Sequence, residues 1–125
     1  MENMGLENRN ILITGGTGLA GAHLVEALLD QKPRTLVSTI RTQDPFSYFF
    51  IRGLDKKVVL AYGDIRDYER MVDIITKYEI NIIFHLAAQP IVSSAYHFPV
   101  QTITSNVNGT VNVLEAARQI GRAHV

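Results

Sequence analysis

The sequence predicts an α/β fold built on a doubly wound parallel sheet, and three observations support this. Short β-branched runs alternate with longer helical patterns along the 125 residues, as in consecutive βαβ units. The first run, residues 10–14, is apolar on both faces, as a strand covered by helices on each side should be. A cluster of glycines follows this run directly and precedes an amphipathic helical pattern.

Three further strands are predicted at residues 35–40, 58–62 and 80–86, where β-branched and other apolar residues cluster. Crossover connections between parallel strands are right-handed by the usual rule. The expected strand order is therefore 3-2-1-4, which is the N-terminal portion of a doubly wound sheet.

The helices are predicted between these strands. The first begins at Leu19 and is ended by Pro33, and the next runs from Asp67 to about Glu79. The aromatic stretch at residues 45–50 receives no assignment. A last helix of about 15 residues is predicted from its apolar stripe, which comprises Val107, Val111, Leu114 and Ala117.

The composition excludes several classes of protein. The 12 basic and 12 acidic side chains give zero net charge, which argues against nucleic acid as a partner. There is no cysteine, and the four histidines lack metal-ligand spacing, so no metal site is expected. The apolar runs are too short to span a membrane, and the N-terminus lacks the layout of a signal peptide. We therefore expect a cytoplasmic protein without a membrane partner.

The glycine turn at residues 14–21 is the most informative motif. Gly15, Gly18 and Gly21 match G-x-x-G-x-x-G, while Gly16 in place of Gly15 gives G-x-G-x-x-G, and both templates remain open. Such glycines allow a tight turn, close approach to a pyrophosphate and close packing of helix on strand. The helix tip, with Leu19 and Ala20, offers N–H groups to the phosphates. Placement between a buried strand and a helix predicts dinucleotide binding by a Rossmann-type fold.

Arg41 follows the second predicted strand and bears on the choice of coenzyme. An acidic residue at this position accepts hydrogen bonds from the ribose of NAD, whereas an arginine suits the 2′-phosphate of NADP. No acid occurs here before Asp44. The sequence favours NADP, with NAD as the alternative and a solvated arginine as the structural explanation.

Four motifs in order resemble the extended short-chain dehydrogenase/reductases, and within these the nucleotide-sugar epimerases and 4,6-dehydratases. They are the glycine turn, Tyr-Gly-Asp-Ile-Arg-Asp at 62–67, His-Leu-Ala-Ala-Gln at 85–89 and the Asn-rich segment 105–118. The Ala-Ala-Gln triplet looks most like CDP-glucose and GDP-mannose 4,6-dehydratases. Ile91 departs from the His of the GDP-mannose pattern, and Ala20 replaces the Lys of CDP-glucose enzymes, so the nucleotide stays open.

The resemblance implies roles for individual residues. The carboxylate of Asp64 would accept a hydrogen bond from the amino group of adenine, while Ile65 would pack on its ring. Gln89 would enter the site for a nucleoside-diphosphate sugar. The nicotinamide-side ribose would lie along the backbone of three small or apolar residues, Leu86, Ala87 and Ala88.

The chemistry implied by the resemblance is oxidation at C4 of the sugar, followed by elimination of water and return of hydride in a dehydratase. An epimerase would instead return hydride to C4 from the other face. The family's base is a Tyr with a Lys four residues later, and none of the five tyrosines has that Lys. We name no catalytic residue and expect Tyr-x-x-x-Lys to lie beyond this chain.

We therefore expect an incomplete NAD(P)-binding domain at residues 9–119. Residues 120–125, Ile-Gly-Arg-Ala-His-Val, look like a translated sequencing adapter and are expected to be a non-native tail. The resemblance implies that the full-length parent is a homodimeric enzyme and that the fragment is inactive. A non-catalytic dinucleotide sensor on the same fold is the alternative of another class.

Overall fold

The computed structural model describes residues 6–86 and 99–121, with side chains in the second range described at 109–119 and 121. Within these residues four strands form the sheet: β1 (Asn10–Thr14), β2 (Thr35–Ile40), β3 (Val59–Tyr62) and β4 (Ile82–His85). They are parallel and lie in the order β3-β2-β1-β4, which confirms the predicted 3-2-1-4 arrangement.

The helices are α1 (Leu19–Leu29), α2 (Tyr48–Ile51), α3 (Tyr68–Lys77) and α4 (Pro99–Ile120), with a short 3₁₀ turn at Leu54–Lys56. Side chains of a strand alternate between its faces, so β1 contributes to two cores. On one face Leu12 packs with residues of α3 and α4, including Ile75 and Val113. On the other, Ile11 and Ile13 pack with α1 and α2. The central strand is thus buried on both faces, as the sequence predicts.

The aromatic stretch that received no assignment contains α2. The Ser47 hydroxyl accepts a hydrogen bond from the backbone N–H of Phe50 and so caps the helix. Phe49 is fully buried in the core beside α1. Tyr48 donates a hydrogen bond to Glu26 of α1, which fixes the two helices to each other. The stretch therefore covers one face of the sheet.

Other boundaries differ by a few residues from the sequence expectations. Helix α4 spans 22 residues and begins at Pro99, because proline at the first helical position has no N–H that needs a partner. Helix α3 ends at Lys77, since Glu79 has a left-handed φ of 50°. Strand β4 is shorter than predicted, although the N–H of Leu86 still bonds the carbonyl oxygen of Thr14 at 2.9 Å. In the part of the chain that the structure describes, no helix has both the length and the apolar character of a membrane span.

Candidate dinucleotide-binding site

The predicted site residues that the structure describes lie along one edge of the sheet. The glycine turn follows β1, Arg41 follows β2, Asp64 and Ile65 follow β3 by two and three residues, and Leu86 follows β4. Because the strands are parallel, their carboxyl ends meet at the same edge, which is where doubly wound sheets bind ligands. Ala87, Ala88 and Gln89 fall outside the described residues.

Gly15 makes the reversal between β1 and α1. Its φ is 79°, in the left-handed region that favours glycine. Its carbonyl oxygen accepts the N–H of Gly18 at 3.2 Å, and its own N–H donates to Oγ1 of Thr39 on β2 at 3.2 Å. The turn is therefore closed internally and attached to the neighbouring strand.

Gly21 and Gly16 are required by packing. A Cβ on Gly21 would lie 2.2 Å from the carbonyl oxygen of Gly15. A Cβ on Gly16 would lie 2.3 Å from Oγ of Ser38 and 3.3 Å from Cγ2 of Val25. Both glycine templates in the sequence therefore correspond to structural requirements. Gly15 makes the turn, and Gly16 leaves room for Ser38 of the neighbouring strand. The packing role of Gly16 depends on Ser38, which the local sequence pattern does not include.

Gly18 differs from both, because among the residues that the structure describes a Cβ there would have only the carbonyl oxygen of Gly15 within 4 Å, at 3.6 Å. It is the N-cap of α1 but provides no side-chain hydrogen bond, and the first turn of α1 has no acidic residue. Leu19 and Ala20 are exposed beside it. An open cradle next to an uncapped helix N-terminus fits a pyrophosphate, because the helix tip offers N–H groups and a partial positive charge.

Asp64 lies between two arginines. Its carboxylate accepts hydrogen bonds from the backbone N–H of Arg66 at 2.9 Å and from the Arg66 guanidinium at 2.6 Å. The guanidinium of Arg41 lies 3.8 Å from the same carboxylate. The hydrogen bonds from Arg66, more than the charge of Arg41, hold the pKa of Asp64 below its usual value. Two guanidiniums and one carboxylate leave this corner with one net positive charge.

The turn that carries Asp64 and Ile65 is held by α4. The side-chain amide of Asn112 donates to the carbonyl oxygens of Ile65 at 3.0 Å and Arg66 at 2.7 Å. A Cβ on Gly109 would lie 2.2 Å from Cδ1 of Ile65. Gly109 and Asn112 belong to the motif at residues 105–118, but the resemblance gives them no role. Their spacing of three residues puts them on one helix face, and this was the only feature of the sequence that pointed to a shared contact.

His85 connects the end of β1 to α4. Its Nδ1 lies 2.6 Å from Oγ1 of Thr14, and its Nε2 lies 3.0 Å from Oγ1 of Thr110. The N–H of Leu86 also donates to Oγ1 of Thr14, at 3.1 Å. Burial lowers the pKa of His85, so the ring is neutral near pH 7 and has one donor and one acceptor nitrogen. The sequence placed His85 at the start of the His-Leu-Ala-Ala-Gln motif but indicated no role for its ring.

The motifs, the strand order and the site geometry place the chain among the extended short-chain dehydrogenase/reductases. A family model described as GDP-mannose 4,6 dehydratase matches residues 12–125. The chain belongs to this family. Gly15, Gly21 and the turn after β3 all lie within the matched range.

Individual proteins of known name are similar to the chain. CDP-glucose 4,6-dehydratase of Salmonella typhimurium is 33% identical over 92% of the chain and 32% of its own length. An inverting UDP-N-acetylglucosamine 4,6-dehydratase of Campylobacter jejuni is 32% identical over 90% of the chain and 34% of its own length. The chain thus spans about a third of the length of these relatives.

Solved structures of epimerases have the same fold. UDP-glucose 4-epimerase of Stenotrophomonas maltophila, with bound NAD and formylated UDP-arabinopyranose, superposes with a TM-score of 0.78. It is 27% identical, and the match covers 90% of this chain and 34% of the epimerase chain. The similarity therefore extends to both dehydratases and epimerases of nucleotide sugars.

Proposed function

We propose that residues 9–119 are the cofactor-binding part of an NADP-dependent nucleotide-sugar 4,6-dehydratase that continues beyond this chain. The observation that carries the proposal is the open space at Gly18 beside the uncapped tip of α1. At Gly21, in contrast, the turn itself fills the corresponding space, and Gly15 is required by its left-handed φ. Gly18 is thus the one glycine of the three whose missing side chain serves a ligand.

Each end of the coenzyme has residues suited to it. The N–H groups at Leu19 and Ala20 would bind the pyrophosphate, and Asp64 with Ile65 would bind adenine. Leu86, Ala87 and Ala88 would follow the nicotinamide-side ribose, and Gln89 would reach the sugar. When bound, the coenzyme supplies a hydride acceptor for C4 of the sugar. The chain's own residues hold and orient it, while the general base is expected outside these residues.

The preference for NADP rests on the net positive charge at the end of β2. Arg41 is half-exposed, and its partner Asp64 already accepts hydrogen bonds from both the backbone N–H and the guanidinium of Arg66. Arg41 is thus available for a 2′-phosphate, to which charge-assisted hydrogen bonds are strong. In Arg41→Gln we expect NADPH affinity to fall by about tenfold to a hundredfold, as about 1.5–3 kcal/mol for such bonds implies, while NADH affinity stays constant.

Arg34→Gln is the matched control, because Arg34 is exposed at the opposite end of β2. Titration of each purified variant with NADPH and NADH measures the affinities. A wild-type protein that binds NADH more tightly, or an Arg41→Gln variant with unchanged NADPH affinity, would contradict the NADP assignment.

The reaction is tested on the protein encoded by the uninterrupted reading frame that contains this chain. Resequencing should show a longer frame with Tyr-x-x-x-Lys. The purified protein is then incubated with GDP-mannose, CDP-glucose and UDP-N-acetylglucosamine, and the products are analysed by mass spectrometry for their mass and by NMR for their configuration. Loss of one water from one of these sugars is expected. A product of unchanged mass but altered configuration would identify an epimerase, and coenzyme binding without turnover would identify a sensor.

A further inference from the structure

We propose that Asn112 is a positioning residue for coenzyme binding, acting through the turn formed by residues 63–66. This inference rests on the proposed function, since it assigns the adenine end of the coenzyme to this turn. Neither the coenzyme nor the sugar would touch Asn112 itself. Its role is to hold Asp64 and Ile65 where adenine binds.

The turn lies between β3 and α3, and its carbonyl groups have no place in the regular ladder of either element. Asn112 supplies partners for two of them, because its Nδ2 lies 3.0 Å from the carbonyl oxygen of Ile65 and 2.7 Å from that of Arg66. An amide nitrogen has two hydrogens, one for each carbonyl. Backbone acceptors that water would otherwise have to satisfy are thereby paired within the protein.

The two hydrogen bonds restrict the backbone directly at the adenine-contacting residues. The carbonyls of Ile65 and Arg66 belong to consecutive peptide planes, which are rigid units joined by two soft dihedral angles. Fixing both planes therefore fixes the φ and ψ of Arg66 and the orientation of the backbone at Ile65. Without Asn112 the turn would sample more conformations, and ordering it on binding would cost entropy.

Gly109 makes the position of Asn112 possible. It lies one helical turn earlier on the same face of α4, and its missing side chain admits Ile65, whose Cδ1 would be 2.2 Å from a Cβ there. The helix backbone thus contacts the side chain of Ile65 while Asn112 binds its carbonyl oxygen. Helix α4 therefore contacts Ile65 in two independent ways, through its side chain and through its carbonyl oxygen.

The test compares two ligands in the full-length protein. Reduced NADP contains adenine, whereas reduced nicotinamide mononucleotide, NMNH, has the nicotinamide half alone. In Asn112→Ala we expect NADPH affinity to fall by about tenfold, or about 1.4 kcal/mol, because binding must then order a turn that has lost both hydrogen bonds, with NMNH affinity unchanged within about twofold. Val111→Ala is the control on the exposed side of α4 and should change neither affinity.

The outcomes separate this inference from the function on which it rests. Failure of the wild-type protein to bind NADPH or NADH would defeat the proposed function. If the wild-type protein binds NADPH and Asn112→Ala binds it equally well, the role of Asn112 is overturned. An equal loss of affinity for NADPH and NMNH would also overturn it, because it indicates general damage to the protein. If Asn112→Ala does not fold, Asn112→Ser keeps one donor and should show a smaller loss confined to NADPH; an equal loss for both ligands would again overturn the proposal.

Discussion

The glycine turn and the turn at residues 63–66 are two parts of one candidate site, and they are constructed differently. The first is shaped by contacts within eight consecutive residues, in which Gly15 meets both Gly18 and Gly21. The second is held by Asn112 and Gly109, more than forty residues further along the chain. One is mainly a local backbone structure, attached to β2 through Thr39 and Ser38, whereas the other depends on contacts with α4.

This difference predicts how strongly substitutions should affect each turn. At Gly18 and Gly21 of the glycine turn the neighbours of a new Cβ are backbone atoms, which cannot rotate away, whereas Gly16 faces the side chains of Ser38 and Val25. The second turn is held through side chains, those of Ile65 and Asn112, which can adjust their conformation or be replaced by substitution. Damage at the first should be large and hard to compensate, whereas damage at the second should be smaller and correctable by a second substitution.

The largest effect is expected from Gly21→Val. Its Cβ would lie 2.2 Å from the carbonyl oxygen of Gly15 and 2.7 Å from Cα of Gly16, so the turn itself would have to move. Overpacking of this kind costs about 3 kcal/mol of unfolding free energy, or prevents folding. Urea denaturation at constant m-value measures the loss. Gly18→Ala, with an open Cβ position, should lose less than about 1 kcal/mol. Equal losses would remove the distinction between the two glycines.

A smaller and reversible effect is expected where α4 meets Ile65. Gly109→Ala should destabilise the protein by about 1 kcal/mol, because the clash with Ile65 exceeds the gain in helix propensity. In an Ile65→Ala background the overlaps with Cδ1 and Cγ1 are removed and only Cβ remains, at 3.3 Å, so the same substitution should stabilise by about 0.5–1 kcal/mol. Denaturant melts of the four proteins complete this double-mutant cycle. Additive effects would show that Gly109 and Ile65 are not in contact.

The smallest effect concerns His85, which lies between the two turns. Burial lowers its pKa in the folded state, so the unfolded chain takes up a proton first. Unfolding free energy should therefore be constant above pH 7 and decline as pH falls below about 6.5, the ordinary value for histidine. His85→Asn should remove this decline between pH 7 and 5.5. A wild-type protein whose stability is constant across that range would contradict the buried neutral ring.

The sequence was sufficient for the sheet because its signals are local. Runs such as residues 10–14 and 35–40 are short, apolar and separated by helical patterns, and the handedness rule then gives the strand order. The predicted last helix was too short because its apolar stripe begins only at Val107, whereas α4 begins at Pro99, and proline is favoured at the first turn of a helix. Helix α2 was missed because the burial of Phe49 depends on α1, not on its own periodicity.

The same distinction applies to the site. The glycine spacing predicted a turn whose residues contact one another, and the structure gives Gly15 and Gly21 separate physical reasons for being glycine. Nothing in the local pattern linked Asn112 to Ile65, since this contact exists only after α4 packs on the turn. The hydrogen bonds from Arg66 to the carboxylate of Asp64 are local, because the two residues are two positions apart in one turn. The coenzyme roles of these residues stay predictions until binding is measured.

The most direct test of the account is the affinity of Gly18→Val for the coenzyme in the full-length protein. The N-cap φ of −73° is open to any residue, and the space beside it accommodates a side chain, so the unfolding midpoint should stay close to wild type. The valine would fill the space assigned to the pyrophosphate. We expect NADPH affinity to fall at least about tenfold, or about 1.4 kcal/mol. An affinity equal to that of the wild-type protein would contradict the central claim.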